Sequence, residues 1–489
     1  MRRDIPQYGQ NKNRKERKTT MQTFDLLVLG GGSAGFAAAI KAAEAGKTVA
    51  LIEGGTIGGT CVNIGCVPSK TLIAAANTRH TAEHPAFTGL GLTAGPIDFP
   101  AVMSEKQSLV DTLRQDKYLN VLQSYPQVTW IRGQGVIHSA DPVTVAVGDQ
   151  IYQAPRLVVT TGAHPWIPAI PGLNETPYWT STEALAADTL PQDLLVIGAS
   201  AVGLEIGQLY QRLGSRVTVL EGLDRIVPLE DDAVSIALLE YLQDEGMAVH
   251  PSVQIRRVEF DHGHFAVEAI VDGHTRTFAA DRVLVATGRR PNTEGLGLQD
   301  VGVGLDHRGG IVVNERMQTA VPTIYAAGDV TGQAMFVYVA AEAGSIAATN
   351  ALGLGTRTLD LTALPKVTFT DPQVASVGLT DSGAEAAGLD CTCSTLPLAY
   401  VPRALANRDT RGFIKLVVEQ GTERVVGMHV VAPDAGEIIQ VGTMAVKYEM
   451  TLEDLTGLFF PYLTMVEGVK LAAITFHKDV SKLSCCAGS

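Results

Sequence analysis

Two segments of the chain repeat one pattern of apolar and polar positions. Residues 24–35 read FDLLVLGGGSAG and residues 192–203 read QDLLVIGASAVG. Each segment starts as a short apolar run, typical of a buried strand, then passes through a glycine turn into a helical stretch. Each helix leads into a second apolar run that ends in an acid, Glu53 or Glu221. The pattern predicts two strand–helix–strand units of the kind that bind dinucleotides.

The residues of the two turns have separate physical roles in such a unit. One glycine permits the turn, a second lets the backbone approach a pyrophosphate, and a third allows close contact between helix and strand. The helix N-terminus then offers unpaired N–H groups to the phosphates. The positions are Gly30, Gly32 and Gly35 in the first copy and Gly198, Ser200 and Gly203 in the second.

The acids that end the two units bear on nucleotide choice. A carboxylate at this position can accept a hydrogen bond from a ribose 2′-hydroxyl but repels a 2′-phosphate. Ser200 is small enough for the backbone of the second turn still to approach a dinucleotide. Glu221 therefore favours NADH over NADPH, although either nucleotide stays open.

Length and charge narrow the class of protein. The 489 residues predict two to four domains. The net charge is −13, but residues 1–20 hold seven Lys/Arg against two acids, so we expect a disordered basic leader over 1–21 and an acidic body. An acidic body argues against nucleic-acid binding. With no signal-type apolar core in the leader and no apolar run near the ~20 residues of a membrane span, we expect a cytoplasmic protein.

The first candidate for chemistry is a pair of cysteines in GGTCVNIGCVPSK, residues 58–70. Cys61 and Cys66 are five residues apart, and the following KTLIAAANTRH predicts a helix. A thiol at a helix N-terminus has a lowered pKa and acts as a nucleophile, an electron donor or a metal ligand. A structural disulfide or half of a zinc site is the plainer alternative, but no second thiol pair has zinc-finger spacing.

The other four cysteines also occur in pairs. Cys485 and Cys486 are adjacent in SKLSCCAGS, where neighbouring Cα atoms are too close for a relaxed disulfide and better suited to binding a soft ion. Cys391 and Cys393 lie in LDCTCSTLPL. On a strand they would share one face. A secondary metal site there competes with the plainer interpretation of small strand side chains.

The thiol segment resembles the active-site signature of the flavin-dependent pyridine nucleotide–disulfide oxidoreductases. The likeness runs from about residue 22 to the end of the chain. VVTTGAHPWIP at 158–168 and VLVATGRRPNT at 283–293, which contains Gly288, resemble the domain-crossing segments of that family, and TIYAAGDV at 323–330 resembles its second flavin motif. The resemblance implies an α/β fold with two Rossmann-like domains, for FAD and NAD(P), and a C-terminal α+β dimerisation domain.

The resemblance also implies roles for individual residues. Cys66 would face the flavin, Cys61 would meet the substrate, and Lys70 would lie at the reactive edge of the flavin with Glu205 as its partner near the nicotinamide. The FAD contacts would be Gly30, Gly32, Gly35, Glu53, Gly55, Thr60, Lys70, Gly135, Asp329 and Val337. The nicotinamide contacts would include Gly198, Ser200, Gly203, Glu221 and Gly288.

The segment FPYLTMVEG, residues 460–468, bears on the substrate. Disulfide reductases of the family carry a histidine, oriented by a glutamate, that handles protons for the leaving thiol. Here Glu467 is present, but the histidine position holds Tyr462, and a phenol with a pKa near 10 is a poor base at neutral pH. His477 follows on an expected helix and is badly placed to substitute.

Tyr462 together with the terminal cysteines resembles the mercuric reductase branch of the family. Hg(II) is soft and prefers two thiolates. The resemblance implies that Cys485 and Cys486 capture Hg(II), as thiol complexes, and pass it to Cys61 and Cys66 of the partner in a homodimer, with NAD(P)H reducing the ion through FAD. Tyr118 would be a second tyrosine near the ion, or else an ordinary helix aromatic.

Two alternatives to mercury reduction remain. The chain could be a disulfide reductase like dihydrolipoamide dehydrogenase, or a flavoprotein that sequesters soft metals without turnover.

The resemblance also implies the domain limits. We predict an FAD domain at 22–165 and 296–365, an NAD(P) domain at 166–295, a dimerisation domain at 366–480 and a flexible metal-capturing tail at 481–489.

Overall fold

The computed structural model describes residues 21–482. Residues 1–20 and 483–489 lie outside the described part, and with them most of the expected leader and the cysteines Cys485 and Cys486 of the expected tail. Met21 is the first residue of a strand.

The first third of the chain contains one of the two predicted units and an antiparallel meander. Apolar runs such as LLVL and VALIE form fully buried strands, as continuous apolar runs in parallel sheets do. The strands are β1 (Met21–Thr23), β2 (Leu26–Leu29), β3 (Val49–Glu53), β4 (Val128–Arg132), β5 (Gly135–Ala140), β6 (Val143–Val147), β7 (Gln150–Ala154), β8 (Leu157–Val159) and β9 (Ala163–Pro165). The helices are α1 (Ser33–Glu44), α2 (Gly59–Ile64), α3 (Cys66–Glu83), α4 (Phe99–Arg114) and α5 (Asn120–Gln123).

The middle of the chain contains the second unit and a three-stranded antiparallel sheet. Its helices are α6 (Ser181–Ala184), α7 (Ala201–Leu213) and α8 (Asp232–Asp244). Its strands are β10 (Asp193–Ile197), β11 (Arg216–Leu220), β12 (Ala248–His250), β13 (Gln254–Asp261), β14 (His264–Val271), β15 (His274–Ala280), β16 (Arg282–Val285) and β17 (Arg289–Pro291). The antiparallel pair β9–β17 links this part to the first.

The last third returns to the first sheet and then forms a sheet of its own. The returning elements are β18 (Ile324–Ala326) and α9 (Val337–Ala351). The C-terminal strands are β19 (Lys366–Thr368), β20 (Gln373–Gly378), β21 (Cys391–Pro397), β22 (Phe413–Glu419) and β23 (Val425–Ala432). The C-terminal helices are α10 (Asp381–Ala386), α11 (Pro402–Asn407), α12 (Ala435–Lys447), α13 (Leu452–Gly457) and α14 (Glu467–Ile474).

The sheet orders confirm the predicted fold class. A parallel sheet in the order β18-β8-β2-β3-β4 holds the first unit, and a parallel sheet in the order β12-β11-β10-β16 holds the second. The C-terminal sheet, in the order β19-β20-β23-β22-β21, is antiparallel throughout. Ligands of open parallel sheets bind at the carboxyl ends of the strands, so both turns after β2 and β10 face a binding crevice.

The hydrophobic cores join neighbouring sheets, and one of them includes Leu194 of β10 and Val374 of β20. Small residues on α1 and α9 let these helices approach closely: a Cβ on Gly344 would lie 2.0 Å from the carbonyl oxygen of Ala34. No helix within residues 21–482 is long and apolar enough to cross a membrane.

Candidate functional site

The two dinucleotide turns have the same backbone geometry. Gly30 and Gly198 adopt φ of +113° and +105°, a region that favours glycine. A Cβ on Gly35 would lie 1.8 Å from the oxygen of Gly30, and a Cβ on Gly203 would lie 2.0 Å from that of Gly198. Any larger residue would push the helix off the strand, so both units keep the contact that lets their helix N-termini face a pyrophosphate.

The middle positions of the turns explain why a serine is accepted in the second unit. Gly32 and Ser200 precede α1 and α7 with φ of −81° and −97°, which any residue adopts. The nearest atom to a Cβ on Gly32 would be the Cα of Gly59 at 3.6 Å, an ordinary contact. The exchange of glycine for serine therefore leaves the second turn intact.

The acids at the strand ends bind the turns in equivalent ways. Glu53 accepts hydrogen bonds from the N–H groups of Gly31 and Gly55, both at 2.5 Å. Glu221, which is 8% exposed, accepts from Ala199 at 2.6 Å and Leu223 at 2.9 Å. Each carboxylate is therefore held at the carboxyl end of its strand, where a ribose would lie.

A cleft of about 620 Å³ opens over the second unit. Its lining includes Gly198, Ser200, Glu221, Gly288 and Arg289, so the residues predicted for the nicotinamide nucleotide largely come together. Arg289 is the one basic residue in the described lining, and no Lys or Arg there adjoins Glu221. Glu221 and Arg289 are therefore the charged side chains of the lining that the structure describes.

The residues predicted for FAD surround the first turn and the start of α9. Asp329 opens a 3-10 turn, Asp329–Thr331, after Gly328 with φ of +79°, and burial raises the pKa of its carboxyl. Gly135 begins β5, where a Cβ would meet Leu29 Cδ1 at 2.6 Å. Thr60 lies in α2 and Val337 begins α9. A half-buried, weakly paired acid beside a glycine turn fits a polar group such as the ribityl chain of a flavin.

The thiol pair lies where one helix ends and the next begins. Cys61 belongs to α2, Gly65 separates the helices, and Cys66 is the first residue of α3. A hydrogen bond from the Cys61 thiol and the charge of Lys70 lower the pKa of Cys66 to about 7. The same hydrogen bond, with burial, raises the pKa of Cys61. Cys66 is therefore the thiol of the pair that ionises around neutral pH, while Cys61 stays protonated.

Lys70 and Glu205 form the ion pair that the sequence analysis implied. The Lys70 Nζ lies 2.6 Å from Glu205 Oε2, joining α3 to α7. Glu205 is 6% exposed, and its other oxygen accepts a hydrogen bond from the N–H of Phe369 at 2.9 Å. The Phe369 ring lies 4.4 Å from Lys70 Nζ, a cation–π contact. Lys70 is therefore fixed one helical turn after Cys66.

Tyr118 lies in a π-helical turn, Gln115–Leu119, close to the thiols. Its ring packs edge-on against Phe36 at 4.8 Å and would contact a Cβ on Gly58. Burial raises the pKa of Tyr118, and the charges of Cys61 and Cys66 act in the same direction. π-Helical turns often occur at functional sites.

The predicted substrate-proximal tyrosine belongs to the C-terminal domain. Tyr462 is 49% exposed in the single chain, in the turn before α14. Glu467 begins α14 and accepts a hydrogen bond from the N–H of Leu463 at 3.2 Å. The expectation that His477 lies on a helix is wrong, because α14 ends at Ile474; His477 lies 3.2 Å from Glu423 instead.

The structure thus brings part of the predicted set together within one chain. Cys61, Cys66, Lys70, Glu205 and Tyr118 form one cluster around the start of α3. Tyr462 is placed on a different domain, and Cys485 and Cys486 lie outside the described residues.

Two residues of the cluster were missed in the sequence analysis. Arg289 lies 4.0 Å from Asp329, donates to the oxygen of Ala163 and has its pKa lowered by burial. Arg289 follows Gly288 in the GRRPNT segment, and this position next to a predicted nucleotide contact could have identified it. Phe369 contacts Glu205 through its backbone N–H and Lys70 through the face of its ring. Neither contact corresponds to a sequence motif.

Comparison with protein families matches nearly the whole described chain. Residues 24–344 match the pyridine nucleotide-disulphide oxidoreductase model, and residues 364–473 match the dimerisation domain of the same family.

Similar proteins and structures agree with that match. Mercuric reductase of Acidithiobacillus ferrooxidans is 47% identical over 96% of this chain and 85% of its own length. Mercuric reductase of Streptomyces lividans is 45% identical over 95% of this chain and 98% of its own length. The Cu(II) complex of the HOCl-induced flavoprotein disulfide reductase RclA from Escherichia coli has a TM-score of 0.84 at 30% identity, covering 94% of this chain and all of that one.

Proposed function

The chain belongs to the pyridine nucleotide–disulphide oxidoreductase family, and from that premise we propose that it reduces Hg(II) to Hg(0) with NAD(P)H as electron donor. The observation that carries this function is the 45–47% identity to mercuric reductases along almost the whole chain. The flavoprotein disulfide reductase RclA from Escherichia coli, whose structure matches, shares 30%.

The thiol pair supplies the ligands for the ion. Hg(II) binds thiolates, and the pair offers one thiolate, Cys66, and one thiol, Cys61, whose proton leaves as the second bond to the metal forms. Lys70 stabilises the negative charge at Cys66, and Glu205 holds Lys70 in place. Bound FAD supplies the two-electron chemistry that connects the nicotinamide to this site.

The phenol at position 462 favours a metal ion over a disulfide as substrate. A disulfide reductase must protonate a leaving thiolate, whereas mercury reduction needs ligand exchange among thiolates. Tyr462 replaces the histidine of that proton transfer, and His477 lies beside Glu423. We infer that Tyr462 of one protomer would stand near Cys61 of its partner in the homodimer.

The delivery route and the compartment are further parts of the proposal. The dimerisation-domain match supports a homodimer. We propose that Cys485 and Cys486 of one protomer take Hg(II) from thiol complexes and pass it to Cys61 and Cys66 of its partner. Thiol chemistry of this kind requires reduced cysteines, which fits the cytoplasm.

A comparison of electron acceptors tests the proposed function. Purified holoenzyme is given NADH or NADPH with Hg(II) in excess small thiol, and in parallel with lipoamide or glutathione disulfide. We expect nucleotide oxidation with Hg(II) at a rate well above that with either disulfide. Faster oxidation with lipoamide would identify a disulfide reductase, and tight Hg(II) binding without oxidation would identify a sequestering flavoprotein.

A further inference from the structure

The two cysteines of β21 lie on an outer strand of the C-terminal sheet. Cys391 and Cys393 are two residues apart on the strand, so their side chains project from the same face. β21 is the last strand in the sheet order, and both cysteines are free thiols, Cys391 half-buried and Cys393 exposed. Neither thiol has a part in the proposed electron transfer, which runs from the nicotinamide through FAD to Cys61 and Cys66.

The spacing suits a bridging metal ion better than a disulfide. Residues i and i+2 of a strand are about 6.7 Å apart at their Cα atoms, the long limit for a relaxed disulfide. Two metal–thiolate bonds of about 2.3 Å each require sulfurs about 4.6 Å apart when the coordination is linear. Side chains on the same face that lean towards each other can meet that separation.

Acidic groups surround the two thiols. Cys393 donates its S–H to Asp381 Oδ1 at 2.9 Å, and Asp381 Oδ2 pairs with Lys415 at 2.7 Å. Burial, with Asp390 and Glu419 nearby, raises the pKa of Cys391. The local carboxylates attract cations and leave the thiols protonated until a metal displaces the protons.

No group of three or more His, Cys, Asp or Glu side chains within residues 21–482 is arranged to hold a metal ion. The β21 pair therefore offers two ligands, which are too few for a tetrahedral zinc site and sufficient for a soft ion of linear preference.

We propose that Cys391 and Cys393 form a second, redox-silent site that chelates one soft divalent cation, Hg(II), through both sulfurs. Two S–H bonds and the two bonds from Hg(II) to its entering ligands break, and two sulfur–metal bonds form. The entering ligands and two protons leave to water, the proton of Cys393 by way of Asp381. No electron is transferred. The site would retain the ion at a place where the flavin cannot reduce it, and it does not depend on the proposed reductase activity.

A full-length holoenzyme in which Cys61, Cys66, Cys485 and Cys486 are all changed to Ser tests the site, because Cys391 and Cys393 are then the remaining thiols of the chain. Mercuric chloride is titrated in while ultraviolet metal–thiolate absorbance and thiols accessible to a disulfide reagent are followed. We expect one Hg(II) per chain, with both thiols protected at one equivalent.

The matched controls add Cys391→Ser or Cys393→Ser to that background. A competing monothiol should remove Hg(II) from each single-thiol variant at a concentration at least about 100-fold lower than it needs for the pair. The pair should hold the ion more strongly because its two ligands are linked. FAD content, measured on the same samples, reports folding. If the four-serine variant loses FAD, the Cys485→Ser/Cys486→Ser variant, with Cys61 and Cys66 kept as a disulfide, replaces it.

Three outcomes would overturn the site. One is saturation at two Hg(II) per chain with independent thiols. A second is equal retention of Hg(II) by the single-thiol controls. The third is a metal-dependent doubling of the dimer mass, because it would mean that the ion bridges different molecules.

Discussion

At the scale of the residue, the state of one sulfur depends on two neighbours. Cys66 is a thiolate near neutral pH because the Cys61 thiol donates to it and Lys70 lies one helical turn away. A thiolate is the form that binds a soft metal. Cys66 must therefore ionise before the ion can bind and be reduced.

Replacing Lys70 should raise the pKa of Cys66. The hydrogen bond from Cys61 and the lysine charge together lower that pKa to about 7, so in Lys70→Met, which removes the charge, the thiolate should form at higher pH. The pH dependence of alkylation of the reduced enzyme measures the shift. Lys447→Met, which removes an exposed lysine paired with Asp360, serves as control and should leave the midpoint in place. An unchanged midpoint in Lys70→Met would show that the lysine does not lower the pKa of Cys66.

Replacing Glu221 should change nucleotide preference. The carboxylate of Glu221 accepts from Ala199 and Leu223 with separate oxygens, so Glu221→Gln keeps an acceptor for one of these N–H groups and removes the charge that repels a 2′-phosphate. The ratio of kcat/KM for NADPH to that for NADH should rise, by about tenfold for each 1.4 kcal/mol of repulsion removed. Glu240→Gln, an exposed residue of α8, is the control. Equal ratios in the two variants would contradict the role given to Glu221.

At the scale of the element, three domains meet along one face of α7. Glu205 and Gln208 bind the backbone of Phe369 and Asp371, and Arg212 binds Glu245 and Asp371. Arg212 also donates to Asn77 on α3 at 2.7 Å, two turns after Lys70. The contacts of Lys70 and Arg212 therefore fix α3 against α7.

Removing Arg212 should destabilise this junction strongly. Its side chain is 1% exposed, and loss of one partner of a buried ion pair costs about 3–5 kcal/mol. Arg212→Ala should lower the Tm and the denaturant midpoint, measured by circular dichroism. The control is Arg216→Ala, an arginine 68% exposed that pairs with Asp193, and it should behave like the parent protein. Equal stability of the two variants would show that the junction carries little energy.

The predictability of the elements depended on how local their signals are. The turns of β2–α1 and β10–α7 follow from glycines and apolar runs within a dozen residues, and the structure matches both. The helix expected to include His477 ends at Ile474 instead. The contacts of Phe369 join residues 164 positions apart, and no local pattern encodes them.

At the scale of the whole molecule, the residues of the proposed site lie on different domains. The thiol cluster lies on α2 and α3, while Tyr462 lies exposed on the dimerisation domain. The resemblance implied that these parts meet between protomers, which a single sequence cannot reveal by spacing. The domain limits at 165, 295 and 365 and the roles of the site residues stay predictions.

The terminal cysteines should matter most when mercury arrives strongly bound. In Cys485→Ala/Cys486→Ala, turnover should fall little with Hg(II) on a small monothiol and by at least tenfold with Hg(II) on a bulky thiol. The reason is that two adjacent thiols displace a carrier by chelation. Steady-state kinetics with both carriers measures the difference. Unchanged kinetics with the bulky carrier would exclude these residues from delivery.

The proposed holoenzyme couples the oxidation of NAD(P)H to the reduction of Hg(II), and its product is elemental mercury. The most direct measurement collects volatile Hg(0) from a sealed reaction while nucleotide absorbance is recorded. We expect one Hg(0) per nucleotide oxidised, and none from the Cys61→Ser/Cys66→Ser variant. Nucleotide oxidation without Hg(0), or equal Hg(0) from that variant, would contradict the account.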